Sequence, residues 1–227
     1  MAISTNPLAW LRSVQPRRAI ALLLLLLPLT VGAQTVRDLW LSMPPSLAPY
    51  LSTSLRTQCL DFYDMHTDAQ TDNALKGKSR IDTLTSTFLA ATLSKAHTLQ
   101  MKLLPAAGSA SSSSLSSCDS VLCVVRSWDG PKRDSEVQLF DRQWKPLQAP
   151  LTFSADSFVC RPDTMSEERF SRLVALLDPI MFSVSLSPAE NVLLVKLSPV
   201  VPNPDDEKAI EQILVQRKLK WDGKTFK

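Results

Sequence analysis

Glycine is scarce in this chain, with five in 227 residues: Gly32, Gly77, Gly108, Gly130 and Gly223, each far from the next. A loop that cradles a phosphate or dinucleotide needs several glycines within about six residues, so that the backbone can close on the anion. No such loop exists here, and no Gly-x-Ser-x-Gly nucleophile elbow either. Histidine is rarer still. His66 and His97 are the only two, and no His-Glu-x-x-His zinc helix is present. Any serine triad or cysteine dyad must use one of them as its base. His97 reads as a solvated residue of a hairpin turn, and His66 as a partly buried structural histidine at the rim of an apolar stripe. Asp64, Asp68 and Asp72 recur every four residues, a spacing at which carboxylates on successive turns can share a hard cation. The pattern reads as a helix turning its charged face to water, with Asp72 past the helix end. No catalytic, cofactor-binding or metal-binding residue is assigned, and no cofactor is expected.

An excess of charge is also missing. The chain has 25 basic and 22 acidic side chains, and three of the arginines (Arg12, Arg17, Arg18) fall in its first 33 residues, which hold no acid. The remainder is balanced. It offers neither the electrostatic footprint of a nucleic-acid binder nor that of a membrane-surface protein. Long apolar runs are missing apart from Ala19 to Thr30, which contains Leu22 to Leu27. With its basic flank and the small residues Val31-Gly32-Ala33, this run reads as a signal peptide cleaved before Gln34. It is shorter than the roughly 20 residues a bilayer span requires, and Pro28 interrupts it. The residue immediately after the cleavage point is Gln34 and not a cysteine. The expected product is exported, periplasmic or secreted, soluble, not a lipoprotein, and without a transmembrane segment once cleaved.

Four cysteines remain: Cys59, Cys118, Cys123 and Cys160. Export permits disulfides, and Cys118–Cys160 is the favoured pair if a bridge forms. Cys123 shares a strand face with Val121 and Val125, which makes it equally a buried hydrophobe.

Periodicity places helices over Val36 to Met43 and Leu55 to Ala69, a helical turn near Ser46 to Leu51, and a helix from a Ser166 cap to Asp178. Strands are expected over 81–85, 88–94, 98–104, 120–127, 135–141, 144–147, 151–153, 181–187, 192–197 and 213–221. Pro202 to Asp206 reads as a loop with a helical turn after it, and Gly108 to Ser117 as a low-complexity loop. Leu93-Ser94 and Trp128-Asp129-Gly130 recur 93 residues later as Leu186-Ser187 and Trp221-Asp222-Gly223. Lys102 and Pro105 recur at a shift of 94 as Lys196 and Pro199. The fold class is therefore α+β: an antiparallel β-sheet with helices packed on one face, read as a tandem duplication of a helix-plus-antiparallel-strands unit. Residues 34–227 read as a single domain with repeats at about 34–150 and 151–227.

Several strings resemble a domain-of-unknown-function family of exported Bacteroidales proteins, family 3256. They are Val36-Arg37-Asp38-Leu39 through Met43-Pro44, Pro49-Tyr50-Leu51, Arg56 with Leu60-Asp61-Phe62, and Asn73 with Gly77-Lys78-Ser79. Met101-Lys102-Leu103-Leu104-Pro105 and Asp134-Ser135 leading to Phe140-Asp141 and Trp144 complete the set. The resemblance implies an envelope-associated protein, brings no catalytic residues, and makes the Ser-rich loop with Cys118 an insertion.

These observations favour a non-enzymatic binding module of the cell envelope whose partner is an envelope protein or glycan. Trp128 and Trp221, in the repeated Trp-Asp-Gly turns, form its expected interaction surface. A core or staple role for Trp128, Trp144 and Trp221 is the competing reading of those rings. An envelope hydrolase using carboxylates such as Asp61 or Asp64, and a small-ligand carrier, are the alternative functions.

Overall fold

The first helix, α1 (Val36–Ser42), starts because Thr35 closes a capping box with Asp38 and satisfies backbone donors at the helix entrance. Its apolar face, Val36, Leu39 and Trp40, is fully buried. The computed structural model describes residues 34–106, 120–147 and 151–227, and Gln34–Lys227 forms one compact unit. After Pro44-Pro45 and a short 3-10 turn comes α2 (Thr53–Asp64), capped by Ser52.

Six strands follow as an antiparallel meander: β1 (Thr71–Asp72), β2 (Lys78–Leu84), β3 (Phe88–Ser94), β4 (His97–Pro105), β5 (Ser120–Asp129) and β6 (Arg133–Phe140). Helix α3 (Glu167–Ala175), capped by Ser166, leads to a second sheet in the order β7 (Phe182–Leu186), β8 (Val192–Leu197), β9 (Arg217–Lys220). Helix α4 (Pro204–Glu211) lies between β8 and β9.

Period-two alternation divides the large sheet into two cores. Leu89, Ala91, Leu93, Leu99, Met101, Leu122 and Val124 pack with Trp40, Leu51, Cys59 and Leu60 of the helical layer. On the opposite face, Phe88, Leu104, Cys123, Val125, Val137 and Leu139 meet Val184, Leu186, Leu193 and Val195 of the small sheet, with Leu173 and Ile210 of α3 and α4. The α+β class, the antiparallel sheet and the helix-covered face agree with the sequence. The second face is covered by a separate sheet, so the middle of β5 is buried on both sides and reads as an unbroken apolar run from Val121 to Val125, whereas β4 carries Thr98, Gln100 and Lys102 on that face.

Side chains fasten the sheets together. The N–H groups of Phe182, Val184 and Leu186 donate to Asp134 Oδ1 (3.3 Å), Ser135 Oγ (3.1 Å) and Gln100 Oε1 (2.8 Å). Buried Lys102 donates through Nζ to the carbonyls of Ser187 (2.6 Å), Pro188 (3.1 Å) and Glu190 (2.6 Å) in the β7–β8 turn. These contacts occupy the free edge of β7, which would otherwise be a template for another strand.

Several expected elements differ. α2 stops at Asp64 instead of Ala69, because His66 takes a left-handed conformation (φ 51°) and residues 64–70 are all exposed, with no apolar stripe to bury. The segment read as a loop from Pro202 is helix α4, since Asn203 Oδ1 caps Asp205 N (3.0 Å), Pro204 occupies the first turn, and Asp205, Asp206 and Glu207 complement the dipole. Residues 144–147 and 151–153 form no strand; Trp144 sits at φ 64° in a turn organised by Asp141 Oδ1, which accepts from Gln143 N and Lys145 N. The last strand shrinks to Arg217–Lys220. Cys59, Cys123 and Cys160 carry free thiols, so no bridge to Cys160 forms. Cys118 and the Gly108–Ser117 loop lie outside the described residues. Strands β3-β4-β5 and β7-β8-β9 share one meander order. Beyond that, β1, β2 and β6 have no counterpart in the small sheet, and α4 interrupts the second meander, so the architecture does not establish the duplication.

Candidate functional site

At one end of the large sheet a polar and aromatic cluster assembles from three elements. The β4–β5 register sets His97 opposite Trp128, and β5–β6 pairing sets Trp128 opposite Asp134. His97 and Trp128 therefore project from the same face as the helical layer, and their rings stack with centroids 5.1 Å apart and planes 11° apart. Arg126, two residues along β5, lies over the Trp128 ring with its guanidinium carbon 5.3 Å from the centroid, a cation–π geometry. Its Nη2 donates to Glu136 Oε2 (2.5 Å), and Gln138 Nε2 donates to Glu136 Oε1 (2.6 Å), so a polar ladder continues onto β6. Tyr50, delivered by the loop after the 3-10 turn, hydrogen-bonds through its hydroxyl to His97 Nδ1 and sets its ring edge-on to the imidazole.

His97 corrects the sequence reading. Only Lys95 and Ala96 make the hairpin turn, and His97 is the first residue of β4, 6% exposed. Burial and the nearby Arg126 push its pKa down to about 4, which keeps the ring neutral at physiological pH. Its Nε2 is buried with no hydrogen-bond partner. Burial also raises the pKa of the Tyr50 hydroxyl. Trp128, by contrast, is 39% exposed while anchored by His97 and Arg126.

Trp221 is not part of this cluster. Its indole N–H donates to the Pro105 carbonyl (2.6 Å), and the ring rests against Phe226. Trp128 faces the first residue of β4 and Trp221 the last, a separation of roughly 26 Å at about 3.3 Å per residue. Trp144 packs on Phe140 and donates to Ser42 Oγ (3.2 Å), tying the loop after β6 to α1.

The carboxylates singled out in sequence do not converge. Asp64 pairs with Arg37, and Asp72 with Lys78 (2.7 Å). A groove of about 520 Å³ is lined by Tyr63, His66, Asp68, Arg80 and Asp82 among others. His66 is exposed there, against the expectation of partial burial, because the helix ends before it. Asp82 is occupied by Arg80 Nε (2.6 Å) and Thr92 Oγ1 (2.7 Å). Among the described residues, no group of three or more His, Cys, Asp or Glu side chains is placed to hold a metal ion. No helix of the described residues is long and apolar enough to cross a membrane.

Sequence reasoning found Trp128 but missed Tyr50 and Arg126. The Arg126-x-Trp128 spacing on a strand, which puts both side chains on one face, was an available signal for the second. Nothing local pointed to Tyr50, whose partner is 47 residues away.

The fold is shared with a solved structure, a domain of an uncharacterized protein from Porphyromonas gingivalis W83. It is 24% identical, covers 85% of this chain and 98% of its own, and superposes with a TM-score of 0.63. No curated protein matches the chain. The model of DUF3256, described as a protein of unknown function, matches residues 28–226. The chain belongs to the DUF3256 family.

Proposed function

We propose that this protein is exported and works as a binding module of the cell envelope, contacting an envelope protein through the corner of the large sheet around Trp128. The observation that carries the reading is Trp128 itself. A large ring left 39% exposed, yet fixed by His97 and Arg126, is preorganised as an anchor and loses little freedom on docking. A protein is favoured over a glycan because a sugar ring stacks on an open aromatic face, whereas His97 stacks on this ring and Arg126 lies over it. Export rests on the basic n-region, the leucine run and the small residues before Gln34. Trp221, with its N–H committed to Pro105, belongs to the reading only as a second, separate contact.

Crosslinking and affinity capture of the full chain in its own envelope fraction tests this proposal, with Trp128→Ala as the control once its fold is verified by circular dichroism. A saturable protein captured by the wild type and lost in the variant is the expected outcome. Capture of glycan alone, or capture unchanged by the substitution, contradicts it.

A further inference from the structure

β6 is the terminal strand of the large sheet, and part of its outer edge is open. Which residues face outward follows from its far end, where Leu147 N donates to Leu139 O (2.8 Å) and Asp141 N to Lys145 O (3.0 Å). Leu139 thus points away from β5, and with an unbroken register so do Val137 and Ser135. Among the described residues, the N–H and C=O of Val137, the N–H of Leu139 and the C=O of Ser135 have no hydrogen-bond partner; Ser135 N turns to Asp134 Oδ1 (3.0 Å).

Other edges are partly covered: β7 is capped by side chains of the large sheet, β9 is bonded at its Lys220 end to Lys227, and two-residue β1 pairs with the Lys78–Ser79 end of β2. Beside the open stretch runs a groove of about 330 Å³ whose apolar lining is Val137, Leu151, Phe153 and Phe182. Phe153 and Phe182 belong to a fixed aromatic trio with Phe158. On the opposite face of the same strand stand Glu136 and Gln138, next to Arg126 and Trp128.

We infer that β6 accepts an extended peptide segment of the partner as a seventh strand. The reading rests on the binding function proposed above and names the form in which the partner arrives. Unpaired main-chain donors and acceptors at strand spacing are matched in series only by another main chain. Alternate side chains of the incoming strand divide between the faces: apolar ones enter the Phe153–Phe182 groove, and polar ones meet Glu136, Gln138 and the Arg126–Trp128 pair. Leu151 to Phe153 wall the groove on its far side.

The test uses a phage-displayed library of random dodecapeptides selected on the full chain, followed by synthesis of the enriched peptides. Bound peptides should slow hydrogen exchange at the Val137 and Leu139 amides. N-methylation at alternate peptide positions should weaken binding about tenfold, the loss of one or two main-chain hydrogen bonds, while N-methylation at the intervening positions leaves it within about threefold. Val137→Pro should weaken binding to a similar degree; should that variant misfold, the N-methyl series decides without altering the protein. Failure to enrich peptides, enriched peptides that leave both amides unchanged, or tolerance of N-methylation throughout overturns strand addition. A Trp128-dependent envelope protein captured despite such a result leaves the binding module standing without the seventh strand. Edge-bound peptides with no Trp128-dependent capture support strand addition and remove Trp128 as the anchor.

Discussion

Acid should loosen this protein through His97 in a definite pH window. The folded ring is held down to about 4 by burial and by Arg126, against an ordinary value of 6.5. A histidine with a depressed folded pKa stays neutral in the fold while the unfolded chain takes up a proton. Stability therefore falls as pH drops through 6.5, and the loss levels off below about 4. Two and a half units at about 1.4 kcal/mol each amounts to roughly 3 kcal/mol, a sizeable fraction of the 5–15 kcal/mol that typically holds a domain together. Among the described residues, the groups recorded against the ring are Tyr50, Trp128 and Arg126, and none of these is a carboxylate that could offset the charge. The assay is urea unfolding at a series of pH values from about 7.5 to about 4, comparing wild type with His97→Phe, which keeps a flat ring against Trp128 and cannot titrate. The other ionisable groups are common to both chains, so their contributions cancel in the comparison. Wild type should lose about 3 kcal/mol relative to the variant across the window. Parallel stability curves would refute the burial and charge argument for this residue.

Three further outcomes follow from the packing. Lys102→Met should destabilise by about 2–4 kcal/mol in urea unfolding, because three carbonyls of the β7–β8 turn lose their donor inside the interface between the sheets. Arg56→Met should behave oppositely. This guanidinium is 2% exposed, bonds only Leu41 O and Thr53 Oγ1, and leaves Nε and Nη1 unpartnered, so the apolar isostere should be within about 1 kcal/mol of wild type or more stable. In a Cys118→Ser chain, a thiol reagent should label only exposed Cys160 under native conditions, with Cys59 and Cys123 reacting on unfolding. Burial raises the pKa of both of those thiols, and labelling of Cys123 in the folded protein would contradict its placement in the core.

The sequence revealed most where local chemistry and tertiary burial agree. The apolar periodicity from Val36 to Met43 marked α1, Ser166 marked α3, and the alternation from Phe88 to Phe140 marked the central strands to within a few residues. α4 was hidden because Asn203-Pro204-Asp205-Asp206 reads as a turn, although the same residues are a cap, a first-turn proline and dipole-complementing acids. The covered second face was written in Val121-Leu122-Cys123-Val124-Val125, a run with no polar alternate that fits only a strand buried on both sides. The candidate site was legible in part. The exposed Trp128 stood out in its Asp-Gly turn, but its neighbours come from separate elements, and strand register alone brings His97 and Trp128 together across 31 residues. His97 was misread because a hairpin position says nothing of the Tyr50 loop that closes over it.

The central claim is that a partner docks at the β5–β6 corner of the large sheet. Hydrogen–deuterium exchange of the full chain, free and in complex with the captured envelope protein, tests this most directly. The account predicts new protection confined to Arg126–Asp129 and Asp134–Leu139, with the Lys218–Lys220 edge of the small sheet and the His66 groove unchanged. Protection centred on the groove around His66, Asp68 and Arg80, with the β5–β6 corner unaffected, would contradict it.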